Sequence, residues 1–138
     1  MVTARRSAQL AGVAGLIPFL APLGVAWGHP PWGATALEVQ AIYAAVILSF
    51  LGGIYWGLAL TREAGRWFWI SVLPSLWGWI ALLLPGAVVP FALAAGFALM
   101  FVMDRAARQR AWVEPWFFRL RLGLGTTAIV SLTLAGLA

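Results

Sequence analysis

The chain has no cysteine, no lysine, a single histidine and four acidic residues among its 138. Without cysteine there is no disulfide, no thiolate metal ligand and no cysteine nucleophile. His29 stands in the loop Gly28-His-Pro-Pro31 with no second histidine anywhere, and zinc or haem ligation takes several donors at defined spacing. No metal site is therefore expected, and His29 reads as a solvated loop residue. The carboxylates Glu38, Glu63, Asp104 and Glu114 never fall as a pair within one apolar stretch, so no acid–base dyad is indicated. Also missing are H-E-x-x-H, the G-x-S-x-G elbow, a phosphate loop ending in Gly-Lys and a dinucleotide fingerprint. These absences point away from an enzyme and leave any cofactor unidentified.

What the chain has in abundance is apolar surface. It is 63% hydrophobic and 9% charged, against roughly half and a quarter in soluble domains. That composition is a membrane protein's. At about 20 residues per span, 138 residues hold one helical unit over 1–138 and no soluble second domain. The net charge of +5 sets nine arginines against four carboxylates. These arginines flank apolar runs instead of forming the contiguous basic face that a phosphate backbone requires, so nucleic acid is not an expected partner.

Five spans are expected, at about 8–27, 37–60, 67–84, 87–103 and 117–137. The first follows Arg5 and Arg6. It is long for a signal-peptide core and lacks a clear small-x-small site, so it reads as a retained span. Pro18 and Pro22 lie four apart in it and remove two backbone donors, predicting a kink near its middle. Trp77 and Trp79 fall deep in the third span, where an indole N–H needs a partner. The fourth is short, with room to extend past Asp104. Asp104 and Arg108 have the spacing of a helical ion pair. Glu114-Pro115 looks like a helix start.

The second span carries Ser49-Phe-Leu-Gly-Gly-Ile-Tyr-Trp-Gly57. Ala45, Ser49, Gly53, Gly57 and Thr61 recur every fourth residue and suggest a thin face for close helix packing. Gly123, Thr127, Ser131 and Ala135 repeat the spacing in the fifth span, so antiparallel packing of spans two and five is expected.

All nine arginines fall on one side of a five-span arrangement. The positive-inside rule then places the N-terminus in the cytoplasm and the C-terminus opposite, in a bacterial inner membrane. Every ionisable residue sits at or near an expected span end, which argues against a proton-driven pump.

Ile17-Pro-Phe19, the Ser49 to Gly57 block, Leu73-Pro-Ser-Leu-Trp-Gly-Trp79, Asp104 and Trp116-Phe-Phe-Arg-Leu-Arg121 together resemble the domain of unknown function 3429 family. The resemblance covers most of the chain, and the Ser49 to Gly57 block is its most specific part. It implies a small polytopic membrane protein and supplies no activity, cofactor or catalytic residue. Two functional readings follow from the residues. One is a non-enzymatic membrane component that binds a lipid or quinone-like amphiphile, or a partner membrane protein. The other is a subunit of an oligomeric transporter or channel. The candidate lipid or anion site gathers Tyr55, Trp56, Arg62, Trp116, Arg119 and Arg121 at the cytoplasmic end of spans two and five, with arginine forks for a phosphate or carboxylate.

Overall fold

The computed structural model describes residues 3–138, so Met1 and Val2 of the single domain expected over 1–138 lie outside it. Its elements are α1 (Ala4–Ala14), α2 (Ile17–Gly28), α3 (Gly33–Arg62), α4 (Gly65–Leu82), α5 (Val89–Gln109) and α6 (Pro115–Gly136), with a 3₁₀ turn at Pro30–Trp32. Among the described residues the secondary structure is all helical. α1 and α2 continue as one helical stretch, Ala4–Gly28. That stretch, Pro30–Arg62, Val89–Gln109 and Pro115–Gly136 are long and apolar enough to cross a membrane. α4 is 18 residues long but falls outside that set, because Arg66, two serines, Pro74 and four tryptophans dilute its apolar residues.

The first stretch breaks at Gly15–Leu16, just before Pro18, which cannot donate to the carbonyl of Ala14. The break frees the Gly15 carbonyl, and the Tyr43 hydroxyl donates to it at 2.8 Å. Pro22 stays inside α2. Gln40, buried in α3, donates through Nε2 to the Phe19 carbonyl at 2.8 Å. Side chains of α3 thus bond backbone carbonyls on both sides of the break between α1 and α2. Trp77 Nε1 of α4 donates to the Ala92 carbonyl of α5 at 2.7 Å.

The packing of α3 departs from the expected thin face. Its buried residues are Gln40, Ala41, Ala44, Ala45, Leu48, Leu51, Gly52, Tyr55 and Ala59, spaced by threes and fours as a period of 3.6 demands. A strict spacing of four advances about 40° beyond a full turn at each step, so the stripe from Ala45 to Thr61 winds around the helix. Ser49, Gly53, Gly57 and Thr61 consequently face outward, and a Cβ added at Gly53 or Gly57 would meet nothing within 4 Å. The close approach is made one residue away. Gly52 lies directly against the Ser71 carbonyl and Pro74 of α4, and Gly78 of α4 rests on Ala45.

The expected partnership of spans two and five is corrected in the same way. α3 packs chiefly on α4 and α2, α6 packs chiefly on α5, and α3 and α6 touch only slightly. In α6, Gly123 is outward with open space beside it, while Gly125 and Gly136 receive the rings of Phe101 and Phe91 from α5. Thr127 and Ser131 turn their hydroxyls back to the carbonyls of Gly123 and Thr127 within the helix. Of the expected small-residue sets, Ala45 in α3 and Ser131 and Ala135 in α6 are buried.

Candidate functional site

α5 sits between α3 and α6 and supplies the residue that joins them. Its buried stripe runs Leu93, Phe97, Met100, Asp104 and Ala107, so Asp104 is in phase with apolar core positions. The carboxylate lies 1% exposed. Tyr55 of α3, also 1% exposed, donates its hydroxyl to Oδ1. Arg121 of α6 donates Nη2 to Oδ2 at 3.2 Å. Both carboxylate oxygens are thereby engaged, and one side chain from each of three helices meets inside the bundle. Asp104 pairs with Arg121 and not with Arg108, because the i, i+4 partner lies toward the exposed helix end.

Aromatic rings cover this cluster on the arginine-rich side. Tyr55 lies 5.6 Å from Trp67 between centroids, and Trp67 lies 4.9 Å from Trp112. The Arg110 and Arg62 guanidinium groups sit 5.4 Å from the Trp67 and Trp112 ring centroids respectively. Such stacking places cations outermost and indoles beneath them. The connecting loops are tightened by left-handed residues at Glu63, φ 51°, and Ala111, φ 55°.

The six residues expected to form one anion site are divided by helix geometry. Successive residues differ by about 100° around a helix, so Tyr55 is buried while Trp56 is exposed and packs edge-on to Phe68 at 4.9 Å. Arg119 and Arg121, two apart, likewise point to different surroundings: Arg119 is exposed and Arg121 buried. Arg62 is exposed and reaches the Trp112 carbonyl at 3.4 Å. Trp116 donates Nε1 to Glu114 Oε2 at 2.7 Å and lies beneath Arg5, 5.7 Å from the ring centroid. Tyr55 and Arg121 come together, with Asp104 as the link, and the others spread over the surface.

Two contributors were missed in the sequence, Asp104 as a core residue and Gln40. Their signal was phase: Asp104 continues the Leu93-Phe97-Met100 stripe, and Gln40 the Ala44-Leu48 one. Asp104 and Arg121 lie near the ends of α5 and α6, yet both are buried between helices.

Beside the cluster is a groove of about 420 Å³ bounded by α1, α2, α3, α5 and α6. Its walls are apolar, including Ala11, Phe50 and Phe117, and its polar members are Tyr43 and Arg121. Tyr43 is occupied by the Gly15 carbonyl. Arg121 Nε is buried without a hydrogen-bond partner. Among the described residues no three histidine, cysteine or acidic side chains group as metal ligands. An apolar molecule is what such walls can hold.

Fold and site together define an all-helical integral membrane protein with a buried ion pair next to an apolar groove. The chain belongs to the family described as "Protein of unknown function (DUF3429)", whose model matches residues 4–137. It is 34% identical over 137 residues to a protein named Transmembrane protein 69 from Xenopus tropicalis, covering 94% of this chain and 53% of that relative. The chain therefore spans about half the length of the curated relative it matches. No solved structure matches it.

Proposed function

We propose that this protein is a non-enzymatic, five-span component of a bacterial cytoplasmic membrane that binds an amphiphile in the groove between α1–α2, α3 and α6. The carrying observation is the groove itself, about 420 Å³ of apolar space with the buried Arg121 on its wall. Pockets of this volume suit small ligands. An apolar cleft in a membrane fills with acyl or isoprenoid chains, and one charged side chain fixes which head is accepted. Counting α4 as a span puts the loop arginines at one end of the bundle, which supports a cytoplasmic N-terminus and a C-terminus opposite. Exposed Arg62 and Arg119 then meet lipid headgroups at the cytoplasmic surface.

The cysteine-free background permits a direct test. A cysteine at Ala11, on the groove wall, is compared with one at Val13, which is 59% exposed on the same helix. In detergent micelles at raised pH, where water reaches lipid-facing thiols, a maleimide is expected to label the Val13 variant faster than the Ala11 variant. Mild delipidation should speed only the latter. Equal labelling of both before and after delipidation would remove the bound amphiphile.

A further inference from the structure

The groove has a defined length and two unlike ends. Its lining runs from Ile54 to Tyr43 in α3, from Phe117 to Ala128 in α6, and from Ala8 in α1 to Phe19 in α2, each about 16 Å of helix at 1.5 Å per residue. That is close to half of a hydrocarbon core of about 30 Å, the depth of one leaflet. Rings floor the deep end: Phe19 meets Tyr43 edge-on at 5.2 Å and Phe97 at 5.7 Å between centroids. The shallow end lies among the arginines. Arg5, one turn before Ala8, reaches from α1 to α6 and sits 5.7 Å from the ring centroid of Trp116, the residue before Phe117. It bridges the mouth, whereas Arg121 is buried and committed to Asp104.

We infer that the occupant is an anionic phospholipid of the leaflet at the arginine-rich end, one acyl chain lying in the groove and the phosphate accepting from Arg5; this deepens the amphiphile-binding reading and rests on it. Held over an indole, a guanidinium keeps its planar fork of N–H donors for a phosphate. Arg5 is exposed and has no carboxylate at ion-pair distance, the one ion pair among the described residues being Asp104 with Arg121. Glu114, the carboxylate near the mouth, is engaged by Trp116 Nε1 at 2.7 Å. A cation left unpaired at headgroup level favours an anionic lipid over a zwitterionic one. The floored, one-leaflet depth favours an acyl chain over a long polyisoprenoid, which would run on past the middle of the membrane.

The intact protein in a mild nonionic detergent is titrated with phosphatidylglycerol, with phosphatidylcholine of the same chains and with glycerol 3-phosphate, a head without a chain, and its Tm is followed. Phosphatidylglycerol should raise Tm saturably by at least about 5 °C, phosphatidylcholine by less than half as much, and glycerol 3-phosphate by no more than about 1 °C. Arg5→Gln should reduce the phosphatidylglycerol response to that of phosphatidylcholine, and Arg5→Lys should keep most of it. Arg66→Gln, which removes an exposed arginine at the same end but outside the groove lining, should keep all of it. Ala11→Trp should abolish the response to both lipids. Equal responses to the two lipids, both lost in Ala11→Trp, overturn the anionic head and leave amphiphile binding standing. An equal response to glycerol 3-phosphate overturns the lipid in favour of a free anion, and an equal loss in Arg5→Gln and Arg66→Gln reduces the effect to diffuse charge and ends the proposal. A phosphatidylglycerol response that persists in Ala11→Trp places the lipid outside the groove and overturns the inference even if Arg5→Gln fails to insert. No rise with any probe overturns it as well, and together with equal labelling at Ala11 and Val13 overturns the amphiphile reading too.

Discussion

Asp104 Oδ2 and Arg121 Nη2 meet at 3.2 Å between α5 and α6, with side chains 1% and 7% exposed. A buried pair of this kind adds little over a well-packed apolar pair, yet removing one partner costs about 3–5 kcal/mol because the other is left charged and alone. Arg121→Gln should therefore lower stability in detergent by that amount. The double replacement Asp104→Leu/Arg121→Met should recover most of the loss. Additive losses in the double variant would show that the two groups are not coupled.

Tyr55→Phe removes the hydroxyl that donates to Asp104 Oδ1 while keeping the ring against Trp67. The carboxylate oxygen loses its partner in a site water does not reach, so a cost of about 1–3 kcal/mol is expected. In the Asp104→Leu/Arg121→Met background the same change should cost well under half as much. An equal cost in both backgrounds would mean that Tyr55 acts by packing alone.

Helix contact in α3 depends on Gly52, not on its neighbour Gly53. A side chain at Gly52 collides with the Ser71 carbonyl of α4, whereas Gly53 and Gly57 face open space. Gly52→Leu should separate α3 from α4 and destabilise the isolated chain by about 3 kcal/mol or more, while Gly53→Leu and Gly57→Leu should stay within about 0.5 kcal/mol. Thermal unfolding of the three variants in one detergent decides the matter. Matching losses would return the packing face to the Gly53 side.

The contrast between Gly52 and Gly53 also shows where sequence reading stopped. Helix positions were legible because long apolar runs are closed by Pro, Gly and Arg, and the observed α5 extends to Gln109 where the run ending near Met103 had left its limit open. Lateral packing was less legible. A spacing of four and a spacing of 3.6 part company over only a few turns, and the small residues that catch the eye at Gly53 and Gly57 lie on the drifting stripe. Tyr55 and Arg121 both read as site residues, but the i, i+4 spacing pairs Asp104 with Arg108 on the same helix. A side chain in phase with Leu93, Phe97 and Met100 carries the information that it points inward, and local charge pairing obscured it. The groove depends on five segments folding together, and no linear pattern announces it.

Reporter fusions test the orientation. Fusions at Gly65 and Gln109 should report a cytoplasmic location, and fusions at His29, Gly86 and Ala138 the opposite side. A cytoplasmic signal at Ala138 would contradict five spans and with them the placement of Arg62 and Arg119 at the inner surface.

The occupied groove is tested most directly by mass spectrometry of small molecules released from the protein after extraction in native-membrane discs. Wild type should yield one amphiphile near one molecule per chain, and Ala11→Trp, which places an indole on the groove wall, should yield that species at no more than about a tenth of the wild-type amount, with the surrounding lipid profile unchanged. Indistinguishable profiles for the two proteins, containing bulk lipid alone, would contradict the account.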